Sequence, residues 1–278
     1  MPRPHTEFVQ AQALPWTDDV DWLPHDVLQK QLSRDAESGA VTTVLRYPPG
    51  YRVAKNLSLA CDEELYVLDG SISIGDDEYV TGDYAYLPAG YVRRGMRSDG
   101  CDILSFLEST PRASNISAAC DESQLVRRLS TSAMQWGSAS DKKVAAANVG
   151  RKILRPDTAI GERTWILSLQ VDDGQRYPLN GVEEHPCVEE MFLLAGDIAM
   201  VTGTLRQGAY FWRPPHIRHG PMGTSDGFVA LFRAKEGAFE TEWSEPSIAI
   251  PWDASYTPEL PAEMQQRLIA SPELSAPY

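Results

Sequence analysis

Glu183, His185, Cys187 and Glu189 stand two residues apart in VEEHPCVEE (182–190). His219 follows in RPPHIRHGP (213–221). In an extended chain, alternate residues share one face. An imidazole and two carboxylates on that face, joined by a second imidazole from a following hairpin, make a four-ligand set: Glu183, His185, Glu189 and His219. Mixed His and carboxylate donors suit Fe, Mn, Ni or Zn, whereas all-oxygen sites suit Mg or Ca. Four ligands leave positions open on an octahedral ion, where substrate or dioxygen can bind. Glu184 and Glu190 fall on the opposite face and are expected to point outward. Cys187 shares the ligand face and is expected to fill space rather than react. His216 is expected to shape its turn. Tyr177 lies nearby, and a phenol beside a metal could act as acid, base or hydrogen-bond donor, so it is the expected catalytic residue. Trp165, Phe192, Phe211 and Trp212 flank the set and could touch a ligand. Arg163 and Arg233 are expected to make surface or inter-domain ion pairs, with a bidentate grip on a carboxylate as the alternative.

Short strands must carry these residues. VTTVLRY (41–47), ELYVLDG (64–70), YAYLPAG (84–90) and DILSFLE (102–108) are β-branched or aromatic and bounded by Gly, Pro and Asp. RTWILSLQ (163–170), MFLLAGDIAMV (191–201), AYFWRPP (209–215) and FVALFRA (228–234) repeat the style. The spacing predicts one helix, within PELPAEMQQRLIA (258–270), where an early Pro precedes good helix formers.

The two halves superpose in sequence. LSRDAESGAVTTVL (32–45) matches LRPDTAIGERTWIL (154–167) at an offset of 122 residues. EELYVLDG (63–70) matches EEMFLLAG (189–196), and GDYAYLPAGYVRR (82–94) matches GAYFWRPPHIRHG (208–220), both at an offset of 126. One small insertion explains the change. The same offset pairs Cys61 with Cys187 and Tyr51 with Tyr177. A period this long means duplicated domains, not a solenoid. The expected boundaries are a first domain at 1–112, a linker at 113–145, a second domain at 146–245 and a tail at 246–278 that wraps a neighbouring surface.

The motifs resemble those of the cupin superfamily, and the chain resembles a bicupin. The family's first motif runs G, five residues, H-x-H, three or four residues, E, six residues, G. Its second runs G, five residues, P-x-G, two residues, H. VEEHPCVEEMFLLAG (182–196) and GAYFWRPPHIRH (208–219) keep the Glu189-to-Gly196 and Gly208-to-Pro214-to-His219 spacings. Tyr177 replaces the opening glycine, Glu183 the first motif histidine, and His216 the P-x-G glycine. A Glu in the first ligand slot is similar to the ureidoglycine aminohydrolase type of bicupin. The phrases LPW, FWRPP, HGPMGT and EWSE look like bicupins related to the cupins of certain anti-sigma factors and of acetylacetone-cleaving dioxygenase. The resemblance covers about residues 25–110 and 150–245. It implies an all-β chain of two tandem double-stranded β-helix (jelly-roll) barrels with a short C-terminal helix or tail. It also implies one divalent transition metal, Fe first and Mn, Zn or Ni as alternatives. Dimerisation through outer sheets is common in the family, so a homodimer is a further expectation.

Shifting the ligand set back by 126 residues gives Leu57, Leu59, Glu63 and Arg93. Two leucines and an arginine cannot hold a metal. The turn Pro88-Ala89-Gly90 survives, so the first domain keeps the fold and loses the site. A carboxylate left inside without its ion must be paired or protonated. Arg93 is therefore expected to replace the ion's charge beside Glu63.

The net charge of −14 excludes a phosphate backbone as a ready partner, so no nucleic acid is expected. No run of about 18 apolar residues exists, and none is expected to cross a membrane. The opening MPRPHTEFVQ lacks an apolar signal region, and the four cysteines form no CxxC pair. A cytoplasmic protein with free thiols is expected. By the resemblance, the first expected activity is a dioxygenase cleaving a carbon–carbon bond of a dicarbonyl or hydroxyketone. A redox-neutral hydrolase, isomerase or lyase is the second, and a non-catalytic metal-dependent sensor or binding module the third. In each case the partner is a small molecule.

Overall fold

In the computed structural model, the described residues are 3–24, 26–114, 120–138, 148–157, 159, 161–172, 174–270, 272 and 276–278. Their regular structure is almost all β-strand, with one six-residue α-helix, Ala262–Arg267, following Pro261. No helix among them is long and apolar enough to cross a membrane. The helix falls inside the predicted segment but is shorter. Its one buried side chain, Met264, anchors it, and isolated propensity seldom sustains more without a packed face.

The chain divides into two compact units, one holding Met1–Pro4 and Pro15–Met134, the other His5–Leu14 and Gln135–Tyr278. The expected boundaries therefore differ from the observed ones. Val126–Ser130, placed in the linker by sequence, pairs antiparallel with Asp83–Leu87 and belongs to the first unit. Thr6–Gln10, placed in the first domain, pairs with Ala209–Arg213 and belongs to the second. The two pairings are repeats of each other. Val126 faces Tyr86 and Leu129 faces Tyr84, as Thr6 faces Trp212 and Val9 faces Tyr210. The physical reason is the open edge of each duplicated sheet, whose unpaired backbone groups accept an added strand. Residues 115–119 and 139–145 of the expected linker lie outside the described residues.

In the first unit the sheet order is Val126–Ser130, Asp83–Leu87, Glu63–Ile74, Met96–Leu107, Val41–Val53, Leu28–Arg34. Period two puts Glu63, Leu65 and Val67 on one face, and Leu65 and Val67 join the core with Leu45, Ile103 and Leu107. In the second unit the order is Thr6–Gln10, Ala209–Arg213, Val188–Met200, Phe228–Lys235, Arg163–Leu169, Val149–Pro156, Gly137–Ser138. There Met191 and Leu193 enter the core with Ala209 and Phe211. By the same alternation Glu189 and Arg213 point inward beside them.

The tail secures the second unit's added strand. Glu7 and Glu259 exchange backbone hydrogen bonds at 2.8 and 2.6 Å, Tyr256 Oη donates to the Phe8 carbonyl at 3.0 Å, and Ile269 N–H donates to the Ala13 carbonyl at 2.9 Å.

Candidate metal centre

Backbone pairing alone brings the candidate ligand residues together. Glu183 N–H donates to the His219 carbonyl at 2.8 Å and His219 N–H returns a bond to the Glu183 carbonyl at 3.0 Å. His216 N–H donates to the His185 carbonyl at 2.8 Å. The first unit keeps this frame: Leu57 and Arg93 exchange bonds at 3.1 and 2.7 Å, and Gly90 N–H donates to the Leu59 carbonyl at 2.9 Å. His216 even takes the left-handed backbone of its glycine counterpart, at φ 67° against 80° for Gly90. Glycine adopts that region freely and other residues only at a cost.

On this frame Glu183, His185 and His219 each present a donor atom, all within 4.8 Å of one another. Glu189 reaches the same place. Its Oε1 is 3.9 Å from His185 Nε2 and its Oε2 is 3.6 Å from His219 Nε2. His185 Nε2 is also 3.7 Å from Glu183 Oε2.

Both imidazoles turn Nδ1 toward a backbone carbonyl. His185 Nδ1 lies 2.9 Å from the Glu240 carbonyl, and His219 Nδ1 lies 3.0 Å from the Ile217 carbonyl. A carbonyl can only accept, so each Nδ1 carries a proton and each Nε2 is the ring nitrogen left to face the group. The His185 Nε2 is buried with no hydrogen-bond partner among the described residues. Phe239 stacks on the His185 ring at 4.2 Å and fixes its plane. Burial, and then the charge of Arg213, hold His219 down at about 4, so it stays neutral at physiological pH.

Arg213 and Glu7 complete the site, and neither was singled out in the sequence. Arg213 donates from Nη1 to Glu189 Oε2 at 2.7 Å, from Nε to Glu7 Oε2 at 2.6 Å and from Nη2 to Glu7 Oε1 at 2.5 Å. Burial works to raise the Glu7 pKa, but Arg213 outweighs it and holds the carboxyl at about 2. Glu189 is lowered for the same reason, with burial opposing Arg213 and the two histidines. With both imidazoles counted as neutral, Glu7, Glu183, Glu189 and Arg213 together carry a formal charge of −2. A divalent cation balances that sum, and buried charge without such balance is costly. The residues fit a divalent ion.

A cavity of about 90 Å³ opens onto this group. Its polar end is Glu183, Glu189, Arg213 and His219, and its walls include Leu167, Ile198, Met200, Phe211, Trp165 and Phe232. Of the aromatic residues picked from sequence, Trp165 and Phe211 line it. Phe192 instead packs against Tyr278, and Trp212 sits opposite Thr6 on the added strand. Tyr177 pairs across from Thr224 and packs against the core, outside the lining of this cavity.

The remaining expectations divide. Glu190 is not outward: it is fully buried, accepting from Tyr210 Oη at 2.7 Å and from Arg233 at 2.6 Å. Arg233 is therefore held in a buried pair within its own sheet, not at the surface. The far face of this sheet is covered, which alternation alone cannot reveal. Arg163 lies over the Trp165 ring at 4.9 Å. His216 hydrogen-bonds Glu184 at 2.9 Å and stays exposed, apart from the ligand group. In the first unit Arg93 donates to Glu63 and Ser105 Oγ donates to the other Glu63 oxygen, all three buried. The expected pairing of Arg93 with Glu63 is what the structure shows.

Cys187 belongs to the core, and burial pushes its thiol up to about 11 and that of Cys61 up to about 12. Cys101 is raised by burial as well. At about pH 8, iodoacetamide is expected to label Cys120 alone in the native protein and all four thiols after unfolding, as counted by intact mass. Native labelling of Cys187 would contradict its placement.

Comparison with known proteins agrees with the architecture. Residues 5–111 match the family model of the ChrR cupin-like domain. No curated protein matches the chain in sequence. A crystal structure of a candidate dioxygenase from Nostoc punctiforme PCC 73102 superposes with a TM-score of 0.76 at 18% identity, covering 89% of this chain and 92% of that one. In fold, this chain is a bicupin. Oxalate decarboxylase of Bacillus subtilis is a more distant bicupin likeness, with a TM-score of 0.55 at 10% identity over 85% of this chain and 78% of that one. Manganese(II) centres are named for that decarboxylase. In the present bicupin the two barrels share one backbone frame, and the second brings two imidazoles and carboxylates to it.

Proposed function

We propose that the second barrel is a metal-dependent enzyme site for a small, largely apolar molecule bearing oxygens, and that it is a dioxygenase cleaving a carbon–carbon bond of a dicarbonyl or hydroxyketone. The observation that carries the reading is the convergence of two imidazoles, each with Nδ1 on a backbone carbonyl, and Glu183 at the polar end of an apolar cavity. Glu183, His185 and His219, with Glu189 beside them, would hold the ion. When bound, a divalent ion, iron first, supplies Lewis acidity to paired substrate oxygens and, as iron, access to dioxygen chemistry.

The chain's own residues define the rest. Leu167, Ile198, Met200 and Phe211 give the substrate's carbon frame an apolar wall and exclude water from the polar end. Arg213 is occupied by Glu7 and Glu189, so it does not offer a grip for a substrate carboxylate. The apolar walls favour a neutral ketone or its enol over a small dianion such as oxalate, with Arg151 a further guanidinium lining the cavity. The likeness to a candidate dioxygenase over nine-tenths of both chains supports the same choice.

The test is oxygen uptake by Fe(II)-loaded protein with 2,4-pentanedione. One O₂ consumed per diketone, yielding one carboxylic acid and one 1,2-dicarbonyl, is expected. Turnover of the same substrate at equal rate without oxygen would instead establish a redox-neutral lyase or hydrolase. The carboxylate-rich surroundings of the two imidazoles favour that second reading over any other alternative.

A further inference from the structure

Arg213 is an unusual neighbour for a cation site, because its charge opposes the ion and it binds a would-be ligand, Glu189. Its counterpart in the first barrel is Leu87, so the fold does not require an arginine there. What makes Arg213 compatible with a metal is Glu7, which comes from the added N-terminal strand. Glu7 takes two of the guanidinium's bonds, from Nε and Nη2, leaving Nη1 for a single oxygen of Glu189. Phe211 lies under the guanidinium, 3.7 Å from it, and limits its movement. Glu7, Glu189 and Arg213 are all more than nine-tenths buried, so water does not replace any of these bonds.

We propose that Glu7 and Arg213 are positioning residues of the second-barrel metal centre. Together they hold Glu189 by Oε2 and leave Oε1 facing His185, 3.9 Å from its Nε2. Glu7 thereby makes the second barrel's centre depend on a strand from the first ten residues of the chain. The inference rests on the metal site proposed above. It has its own logic: without Glu7, Arg213 is free to take both oxygens of Glu189, and the formal charge of the group falls from −2 to −1. Both changes weaken the binding of a divalent cation.

The experiment is titration of metal-free full-length protein with Co(II), reading affinity by calorimetry and ligand environment by the visible spectrum. Glu7→Gln is expected to bind Co(II) roughly 10–100-fold more weakly than wild type, with an altered spectrum. Glu7→Asp keeps the charge and is expected to stay closer to wild type. The decisive variant is Glu7→Gln/Arg213→Gln, which removes the competing guanidinium and restores the −2 charge. It should recover about tenfold or more of the affinity lost by the single variant. A purely structural role for Glu7 would make the double variant worse than the single one. Wild-type affinity and spectrum in Glu7→Gln, or a double variant no tighter than Glu7→Gln, would overturn the inference and leave the metal site standing. Wild-type protein that binds no Co(II) would overturn both.

Discussion

Arg93→Met should destabilise the chain by about 3–5 kcal/mol, because it strands the Glu63 carboxylate inside the first barrel. Glu63 is 1% exposed and Arg93 2%, and besides Arg93 only Ser105 is seen donating to the carboxylate among the described residues. One hydroxyl cannot compensate a buried negative charge. The double variant Glu63→Met/Arg93→Met should come out close to wild type. Replacing a whole buried ion pair by apolar side chains is neutral to stabilising by about 1–4 kcal/mol, and the Ser105 hydroxyl left without its acceptor offsets about 1 kcal/mol of that. Urea unfolding of both variants reads the difference directly. A single variant within about 1 kcal/mol of wild type would mean that the pair does not replace a cation's charge.

Removal of the ion from the second barrel should act in the same direction. With both imidazoles counted as neutral, its candidate ligand group has a formal charge of −2, with Arg213 already engaged by two carboxylates. An ion present at a thousand times its dissociation constant contributes about 4 kcal/mol to the folded state. For a chain of this size, a chelated sample should melt roughly 10 °C below the metal-loaded one. The His185→Ala/His219→Ala variant should melt at one temperature with or without chelator. An equal response of wild type and variant would place any stabilising ion elsewhere.

The two barrels and their sites differ in how far the sequence shows them. Glu183, His185 and His219 were legible because strand alternation and the spacing to the following turn are local properties. The loss of ligands at Leu57, Leu59 and Arg93 was legible because a duplicated chain supplies its own reference. Pairing of Arg93 with Glu63 followed from charge alone. Arg213 stood in plain view two residues before Pro215, but nothing local tells an inward arginine from an outward one in a strand buried on both faces. Glu7 was beyond reach for a different reason. It lies 206 residues from Arg213, on a strand that leaves its own repeat to complete the other sheet. The same exchange moved the domain boundaries, since residues 126–130 and 6–10 carry weak strand signals and pair only because an open edge is available. Tyr177 looked chemical by its position in the motif, yet its strand directs it to the core packing instead of the cavity wall.

The most direct test is the metal content of protein purified without a histidine tag, measured by plasma mass spectrometry beside His185→Ala/His219→Ala. About one divalent transition metal per wild-type chain is expected, and less than about a tenth in the variant, because both imidazoles are gone. Wild-type protein that carries no metal and takes up none from Fe(II), Mn(II), Ni(II) or Zn(II) would contradict it, as would a variant that keeps its full complement.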